Sequence, residues 1–135
     1  MIFVDSGAFI ALWLTQDGKH AEASAAWDRL EADRERLVSS NFILDEVMTY
    51  LGRRAGARFA AEHGRNILDS RQMTMLRPDV DDERAALALL EKHADQGVGF
   101  TDAVSFALMR RHKIQRAFSY DEHFARAGFS LWPRV

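Results

Sequence analysis

The chain contains no cysteine among its 135 residues. The absence of thiols excludes a disulfide scaffold, zinc sites with thiolate ligands, iron–sulfur clusters and a cysteine nucleophile, and it is compatible with a reducing compartment. Only 2 prolines and 8 glycines occur, and no stretch rich in serine or glycine marks a linker. Because a chain of this length is the size of one ordinary domain, we expect a single domain over 1–135.

The chain also lacks a strong charge imbalance, because 18 basic and 20 acidic residues give a formal net charge of −2. Binding of phosphate groups would therefore need local basic clusters or bound cations. No apolar run approaches the roughly 20 residues that a membrane-spanning helix needs. The apolar N-terminus is interrupted by Asp5 and follows no basic segment, so it does not resemble a signal peptide. We expect a cytoplasmic protein without membrane contact.

Apolar runs and helical periodicity alternate along the chain. Strands are predicted at 2–4, 37–40, 73–76, 117–120 and 129–132. Helices are predicted at 19–33, at 42–54 after a cap at Asn41, at 57–70, from 79 or 81 to 93, at 101–112 with Thr101 as cap, and at 121–127. This alternation predicts an α/β fold of three layers, α/β/α, around a central parallel sheet of about five strands.

Four acids stand where such a fold places an active site, because ligands bind outside the carboxyl ends of parallel strands. Asp5 follows the first strand and Asp121 follows the fourth, while Asp102 opens a helix and Glu46 lies within an apolar helical stretch. Each acid also has a purely structural interpretation, as a strand terminus, a helix cap, a partner of the helix dipole or a solvated side chain. Together they would repel one another unless a cation neutralised them.

Oxygen ligands without cysteine or paired histidine favour Mg²⁺ or Mn²⁺ over zinc, and such sites usually perform phosphoryl chemistry. Three hydroxyl side chains accompany the acids: Ser6, Thr101 and Ser119. Each could contact a phosphate oxygen, a water or a neighbouring carboxylate, or serve as an ordinary turn residue.

Four segments carry these residues in order: MIFVDSGAFIAL, SSNFILDEVMTYLGRR, GFTDAVSFALMRRH and AFSYDEHFARAGF. Taken together they resemble the four motif regions of PIN-domain nucleases, and most closely the bacterial toxin ribonucleases of the VapC type. The resemblance implies a metal-dependent ribonuclease in which Asp5, Glu46, Asp102 and Asp121 hold the metal. It also implies a homodimer and a cognate antitoxin that blocks the site. Asp45 stays open as an alternative to Glu46, because neighbours on a helix point about 100° apart.

Two clusters of basic residues are candidates for contact with an RNA backbone or simply solvated helix ends: Arg53, Arg54 and Arg58, and Arg110, Arg111, Lys113 and Arg116. His123 lies two residues after Asp121 and is interpreted as structural, with a place at the rim of the site as the alternative. The competing functions are a regulatory domain of the phospho-receiver kind and a non-catalytic binding module on the same scaffold.

Overall fold

The structure of the protein, a computed structural model, describes residues 1–133. Its centre is a sheet of five short strands: β1 (Ile2–Val4), β2 (Leu37–Ser40), β3 (Met73–Leu76), β4 (Arg116–Phe118) and β5 (Ser130–Trp132). Every neighbouring pair is parallel, in the order β3-β2-β1-β4-β5. The predicted fold class is confirmed.

Helices cover the sheet, and their bounds are α1 (Ser6–Trp13), α2 (His20–Ala32), α3 (Asn41–Ala55), α4 (Ala57–Asp69), α5 (Val80–Lys92), α6 (Phe100–Arg111) and α7 (His123–Arg126). A 3₁₀ turn, Ala94–Gln96, precedes α6. α1 packs against α2 and α3, α3 packs against α4, and α5 packs against α6. Because crossovers between parallel strands are right-handed, α1 to α4 cover one face and α5 to α7 the other.

The order in which the chain adds strands to the sheet changes direction beside β1. From β1 the strands progress through β2 to β3, and the chain then returns to β4 and β5 on the other side. The carboxyl ends of β1 and β4 therefore border a crevice of the kind that binds ligands in open α/β sheets. β1 itself is completely buried, as expected for a central strand covered on both faces.

Large aromatic side chains fill the space between the sheet and its helices. Phe3 and Phe118 stand on adjacent strands, and Phe106 packs edge-on against Phe124 with ring centroids 5.0 Å apart. Each such side chain stabilises the fold by about 1.5–3 kcal/mol through burial of apolar surface. This packing holds α6, whose first turn contains Asp102, firmly against the sheet.

Several helix starts differ from the prediction, and α7 begins at His123 and not at residue 121. Ser40, and not Asn41, caps α3, and its side chain accepts a hydrogen bond from the N–H of Ile43. Gly99, and not Thr101, is the N-cap of α6. α1 was not predicted at all. The choice between two possible starts of α5 is settled by Asp79, which caps the helix.

The N-terminus of α5 has a two-way cap that also anchors α6. Asp79 accepts a hydrogen bond from the N–H of Asp82, and the Asp82 carboxylate accepts one from the N–H of Asp79. Arg111 at the end of α6 donates two further hydrogen bonds to Asp82, at 2.7 and 2.9 Å. Asp82 is only 4% exposed, so its charge depends on these partners.

None of the helices within 1–133 combines the length and the apolar character that crossing a lipid bilayer requires.

Candidate active site

Ser119 connects two of the predicted acids across the gap between β1 and β4. Its Oγ donates a 2.7 Å hydrogen bond to Asp5 Oδ2 and accepts a 3.0 Å hydrogen bond from the backbone N–H of Asp121. The parallel pairing of Val4 with Phe118 puts the residues that follow them side by side. Strand register therefore brings Asp5 and Ser119 together.

Asp5 is the most deeply placed of the acids, with 6% of its surface exposed. Burial raises the pKa of Asp5 to about 7, and the negative charges of Asp102 and Glu46 contribute in the same direction. Hydrogen bonds from Ser119 and from the backbone of Ser6 act the opposite way and lower this pKa. Asp5 is thus a buried carboxyl group surrounded by other carboxylates, which is unfavourable without a nearby positive charge.

Asp102 is the third residue of α6, one turn after the cap at Gly99. Burial raises the pKa of Asp102, and the charge of Asp121 raises it further. Interactions with His123 and a backbone hydrogen bond from Gly99 partly oppose this shift. The helix start therefore holds Asp102 facing Asp121 across the crevice.

Asp121 lies in the loop after β4, three residues beyond the end of that strand and not directly after it as predicted. Its Oδ1 accepts a 2.9 Å hydrogen bond from the backbone N–H of His123. The side chain of Asp121 is 40% exposed, so it lies at the edge of the crevice and is less buried than Asp5 and Asp102.

His123 belongs to this group, although its sequence position favoured a structural role. Its Nδ1 lies 3.2 Å from Asp121 Oδ1 and 3.4 Å from Asp102 Oδ2. No hydrogen-bond partner of acceptable geometry satisfies this buried nitrogen within residues 1–133. The signal in the sequence was the spacing Asp-x-His, because an aspartate in a turn commonly accepts from the N–H two residues later.

Glu46 approaches the same cluster from α3. Burial raises the pKa of Glu46, and the charges of Asp102, Asp45 and Asp121 raise it further, while a hydrogen bond with Ser6 lowers it. Glu46, Asp45 and Ser6 line one cavity of about 360 Å³ beside the cluster. The interactions with Asp102 and Asp121 favour Glu46 over Asp45 as the acid that faces the site.

Thr101 stands next to Asp102, as the second residue of α6. Its backbone carbonyl accepts a 3.0 Å hydrogen bond from Ser105, but its hydroxyl makes no hydrogen bond with any residue of 1–133. The Thr101 side chain is half-buried at the start of the helix.

The cluster has the donors that a divalent cation requires. One ligand atom each of Asp102, Asp121 and His123 lies within 4.8 Å of the others. Asp5 is linked to Asp121 through Ser119. Glu46 is close enough to Asp102 and Asp121 for their negative charges to raise its pKa. Carboxylate oxygens with at most one imidazole fit Mg²⁺ or Mn²⁺, and a cation would remove the repulsion that raises these pKa values.

The two basic clusters differ in their partners. In the second cluster, Arg111 is bound to Asp82, and Arg116 donates a 2.8 Å hydrogen bond to Glu35. These two arginines are therefore committed to structural ion pairs. In the part of the chain that the structure describes, no acidic side chain forms an ion pair with a member of the first cluster, Arg53, Arg54 and Arg58.

Known proteins resemble this chain over nearly its whole length. The chain is 37% identical over 130 residues to the 23S rRNA-specific endonuclease VapC20 of Mycobacterium tuberculosis, in two strains, and the match covers 96% of this chain and 95% of that protein. The crystal structure of M. tuberculosis VapC20, described as a sarcin–ricin loop cleaving toxin, superposes with a TM-score of 0.85 at 35% identity and 96% coverage of both chains.

A toxin–antitoxin complex from Klebsiella pneumoniae also shares the fold, with a TM-score of 0.64 at 16% identity, covering 90% of this chain and 88% of that one. The family model of the PIN domain matches residues 2–130. By this match and by its identity with VapC20, the chain belongs to the PIN domain family.

Proposed function

We propose that this chain is a divalent-metal-dependent endoribonuclease and the toxin of a type II toxin–antitoxin pair, with 1–135 as its single nuclease domain. The observation that carries the proposal is the convergence of acids from β1, α3, α6 and the β4–α7 loop at one crevice. Because VapC20 is a 23S rRNA-specific endonuclease and its crystal structure is described as that of a sarcin–ricin loop cleaving toxin, ribosomal RNA containing the sarcin–ricin loop is the substrate that we propose.

We assign the metal to Asp5, Glu46, Asp102 and Asp121. When bound there, Mg²⁺ or Mn²⁺ would supply the positive charge that stabilises phosphate oxygens in the transition state and would make water more acidic. Ser119 orients the Asp5 carboxylate through its hydrogen bond of 2.7 Å. Such orienting partners tune a site as strongly as many direct ligands do.

The other two hydroxyls have separate roles in this proposal. Ser6 holds Glu46 through the hydrogen bond between their side chains. Thr101 has a hydroxyl without a partner in 1–133 and stands beside Asp102, so it is placed to donate to a phosphate oxygen of the RNA.

The proposed reaction is hydrolysis by in-line attack of water on phosphorus. Asp102 or Asp121 accepts the proton of the attacking water, and the 3′ oxygen leaves. The cluster contains one histidine, His123, and not the pair that would activate a ribose 2′-OH and protonate the leaving group. The products therefore carry 5′-phosphate and 3′-hydroxyl ends.

The test is cleavage of a sarcin–ricin loop hairpin RNA by the purified chain. We expect cleavage with Mg²⁺ or Mn²⁺, none in EDTA, and none with Asp102→Asn, which removes a charge and keeps the shape of the side chain. Asp28→Asn makes the same change on the exposed side of α2 and should cleave normally. Ends with 2′,3′-cyclic phosphate, or full cleavage in EDTA, would contradict the mechanism.

The same assay separates the competing functions. Membership of the PIN domain family removes the phospho-receiver alternative. A non-catalytic module would bind RNA and leave it intact with either cation. We further propose a cytoplasmic homodimer that is inhibited by a cognate antitoxin, and light scattering with size-exclusion chromatography tests the dimer directly.

A further inference from the structure

A surface groove leads away from the acidic cluster between α1 and α3. Next to the cluster it is lined by Ser6 and Glu46, and further along by Tyr50 and Arg53. Tyr50 also lines an adjoining recess of about 530 Å³, together with Trp13, Arg54 and Phe59. We call these two cavities, which share Tyr50, the α1–α3 groove.

Helix geometry explains why the groove begins at the cluster. Glu46, Tyr50 and Arg53 are spaced by four and three residues, so they share one face of α3. With a rise of 1.5 Å per residue, Arg53 lies about 11 Å from Glu46 along the helix axis. Ser6 and Trp13 are related in the same way on α1. The groove is therefore acidic at one end and basic at the other.

The basic end carries cations that the protein itself does not neutralise. Arg53 and Arg54 are exposed and form no ion pair within 1–133. The guanidinium of Arg54 lies 4.9 Å from the centroid of the Tyr50 ring. Asp17 also lines this recess; its carboxylate accepts a 2.8 Å hydrogen bond from the backbone N–H of Lys19 and forms no ion pair with either arginine among residues 1–133. A guanidinium stacked on a ring offers donors to phosphates and a plane to bases.

The aromatic wall of the groove is fixed by packing. Trp13 is stacked between Phe9 and His63, with ring centroids 5.5 and 4.4 Å away. Phe59 meets His63 edge-on at 4.5 Å. Burial lowers the pKa of His63, which favours the neutral form of this ring behind the aromatic wall. Side chains held in this way lose little entropy when a ligand binds.

We propose that the α1–α3 groove binds the single-stranded RNA segment that flanks the scissile phosphate, with Arg53 and Arg54 on phosphates and the Tyr50–Arg54 stack against a base. The inference rests on the proposed function. Unpaired arginines combined with aromatic faces are the usual composition of surfaces that bind single strands. The groove also starts at the acids proposed to cut the phosphodiester, which favours RNA over a protein segment as its occupant.

The test measures binding in a chain that cannot cut. Asp102→Asn serves as the parent, and a fluorescent sarcin–ricin loop hairpin RNA without added metal is the probe in anisotropy titrations. Arg53→Gln with Arg54→Gln should weaken binding by at least about tenfold. It should also lower the slope of log Kd against log salt by about 1.4, since each phosphate contact to a single strand contributes about 0.7.

A matched control removes two positive charges elsewhere. Arg84→Gln with Lys92→Gln alters two exposed residues of α5, on the opposite face of the sheet, and should change Kd by less than about twofold. Tyr50→Ala should weaken binding several-fold and leave the salt slope unchanged, because it removes a stacking surface and no charge. Thermal melting checks that each variant is folded.

Two outcomes would overturn the inference. Equal losses in the groove variant and the α5 control would mean that only overall charge matters. An unchanged RNA affinity in the groove variant would exclude RNA as the occupant of the groove and leave a protein partner as the alternative. Cleavage by the wild-type chain is measured in parallel. If the wild type cuts RNA but Asp102→Asn with Arg53→Gln and Arg54→Gln binds RNA as well as its parent, only the assignment of the groove is wrong. If the wild type cuts no RNA, the proposed function is wrong, and the binding data still test the groove.

Discussion

Replacing Ser119 by alanine tests how much the site depends on a residue that we do not assign as a metal ligand. The change removes the 2.7 Å hydrogen bond to Asp5 and leaves the backbone N–H of Asp121 without its acceptor. Ser119 is 4% exposed, so water cannot easily take the place of the hydroxyl. We expect Asp5 to be less well oriented and less readily ionised in this variant.

The size of the effect follows from the charge on the acceptor. A hydrogen bond to an ionised group contributes about 1.5–3 kcal/mol, and 1.36 kcal/mol corresponds to a factor of ten in rate. We therefore expect kcat/KM to fall by about 10- to 100-fold. The pKa of Asp5 is already raised to about 7 by burial, and the Ser119 hydrogen bond is one of the contacts that lower it. Mn²⁺ affinity should decrease at low pH as Asp5 becomes protonated, which is the acid limb of its pH profile. Loss of the hydrogen bond should move this acid limb, measured by calorimetry, to higher pH.

Two companion variants make this result interpretable. Ser119→Thr keeps the hydroxyl and should retain most activity. Ser105→Ala removes another fully buried hydroxyl, one that bonds only the Thr101 carbonyl in its own helix, and should behave like the wild type. If Ser119→Ala cleaves RNA within twofold of the wild type, with an unshifted acid limb, the argument that Ser119 orients Asp5 is wrong.

Three further predictions address the acids. Glu46→Gln should abolish RNA cleavage while Asp45→Asn keeps most of it; the reverse result would assign the ligand to Asp45. Burial alone would raise the pKa of Asp82, but its capping-box and Arg111 hydrogen bonds outweigh burial and hold this pKa below its ordinary 3.8. Asp82→Asn should therefore lower the free energy of unfolding in urea by about 1–2 kcal/mol at pH 7. This difference from the wild type should vanish as pH falls through the lowered pKa of Asp82. A difference that persists in strong acid would count against the ion pair. Saturating Mn²⁺ should raise the Tm of the wild type more than that of Asp5→Asn, and equal shifts in a melting assay would argue against a metal at Asp5.

The strands and most helices could be predicted from local patterns, because each has a one-sided or fully apolar signature. β1, β2 and β3 coincide with the predicted ranges, and α4 differs by one residue at its end. α1 escaped prediction because its residues are apolar on nearly all sides, so no helical period is visible. Its Ala8 and Phe9 are buried, and Phe9 packs against Trp27 of α2, so tertiary packing explains the helix.

Helix starts were less predictable, since several residues near each start can act as caps. Ser40 and Asn41 both have suitable side chains, and the extended backbone of Ser40 decides between them. At α6 the cap is Gly99, which has no side chain to recognise, and Thr101 was the nearest plausible substitute. Backbone conformation, which a sequence does not display, selects the cap in both places.

That Asp5 and Asp102 lie at the same edge of the sheet could be predicted, because a strand end and a helix start carry them there whatever the details of packing. The position of Glu46, in the second turn of α3, depends on how that helix is rotated against the sheet. The role of Ser119 as a link was only partly foreseen, since it depends on the register between β1 and β4. The place of His123 beside the acids was not predicted, because it depends on a contact with Asp102. This contact joins α7 to α6 and has a long sequence separation.

The position of β1 between β2 and β4 has a consequence for synthesis of the protein. Asp5 and Glu46 come from the first half of the chain, whereas Asp102, Ser119 and Asp121 come from the last third. A nascent chain therefore has no complete set of acids until residue 121 has left the ribosome and β4 has paired with β1. Truncated translation products lack the set as well. For an enzyme proposed to cut ribosomal RNA, this order of assembly delays activity until β1 to β4 and the loop that carries Asp121 have all been synthesised.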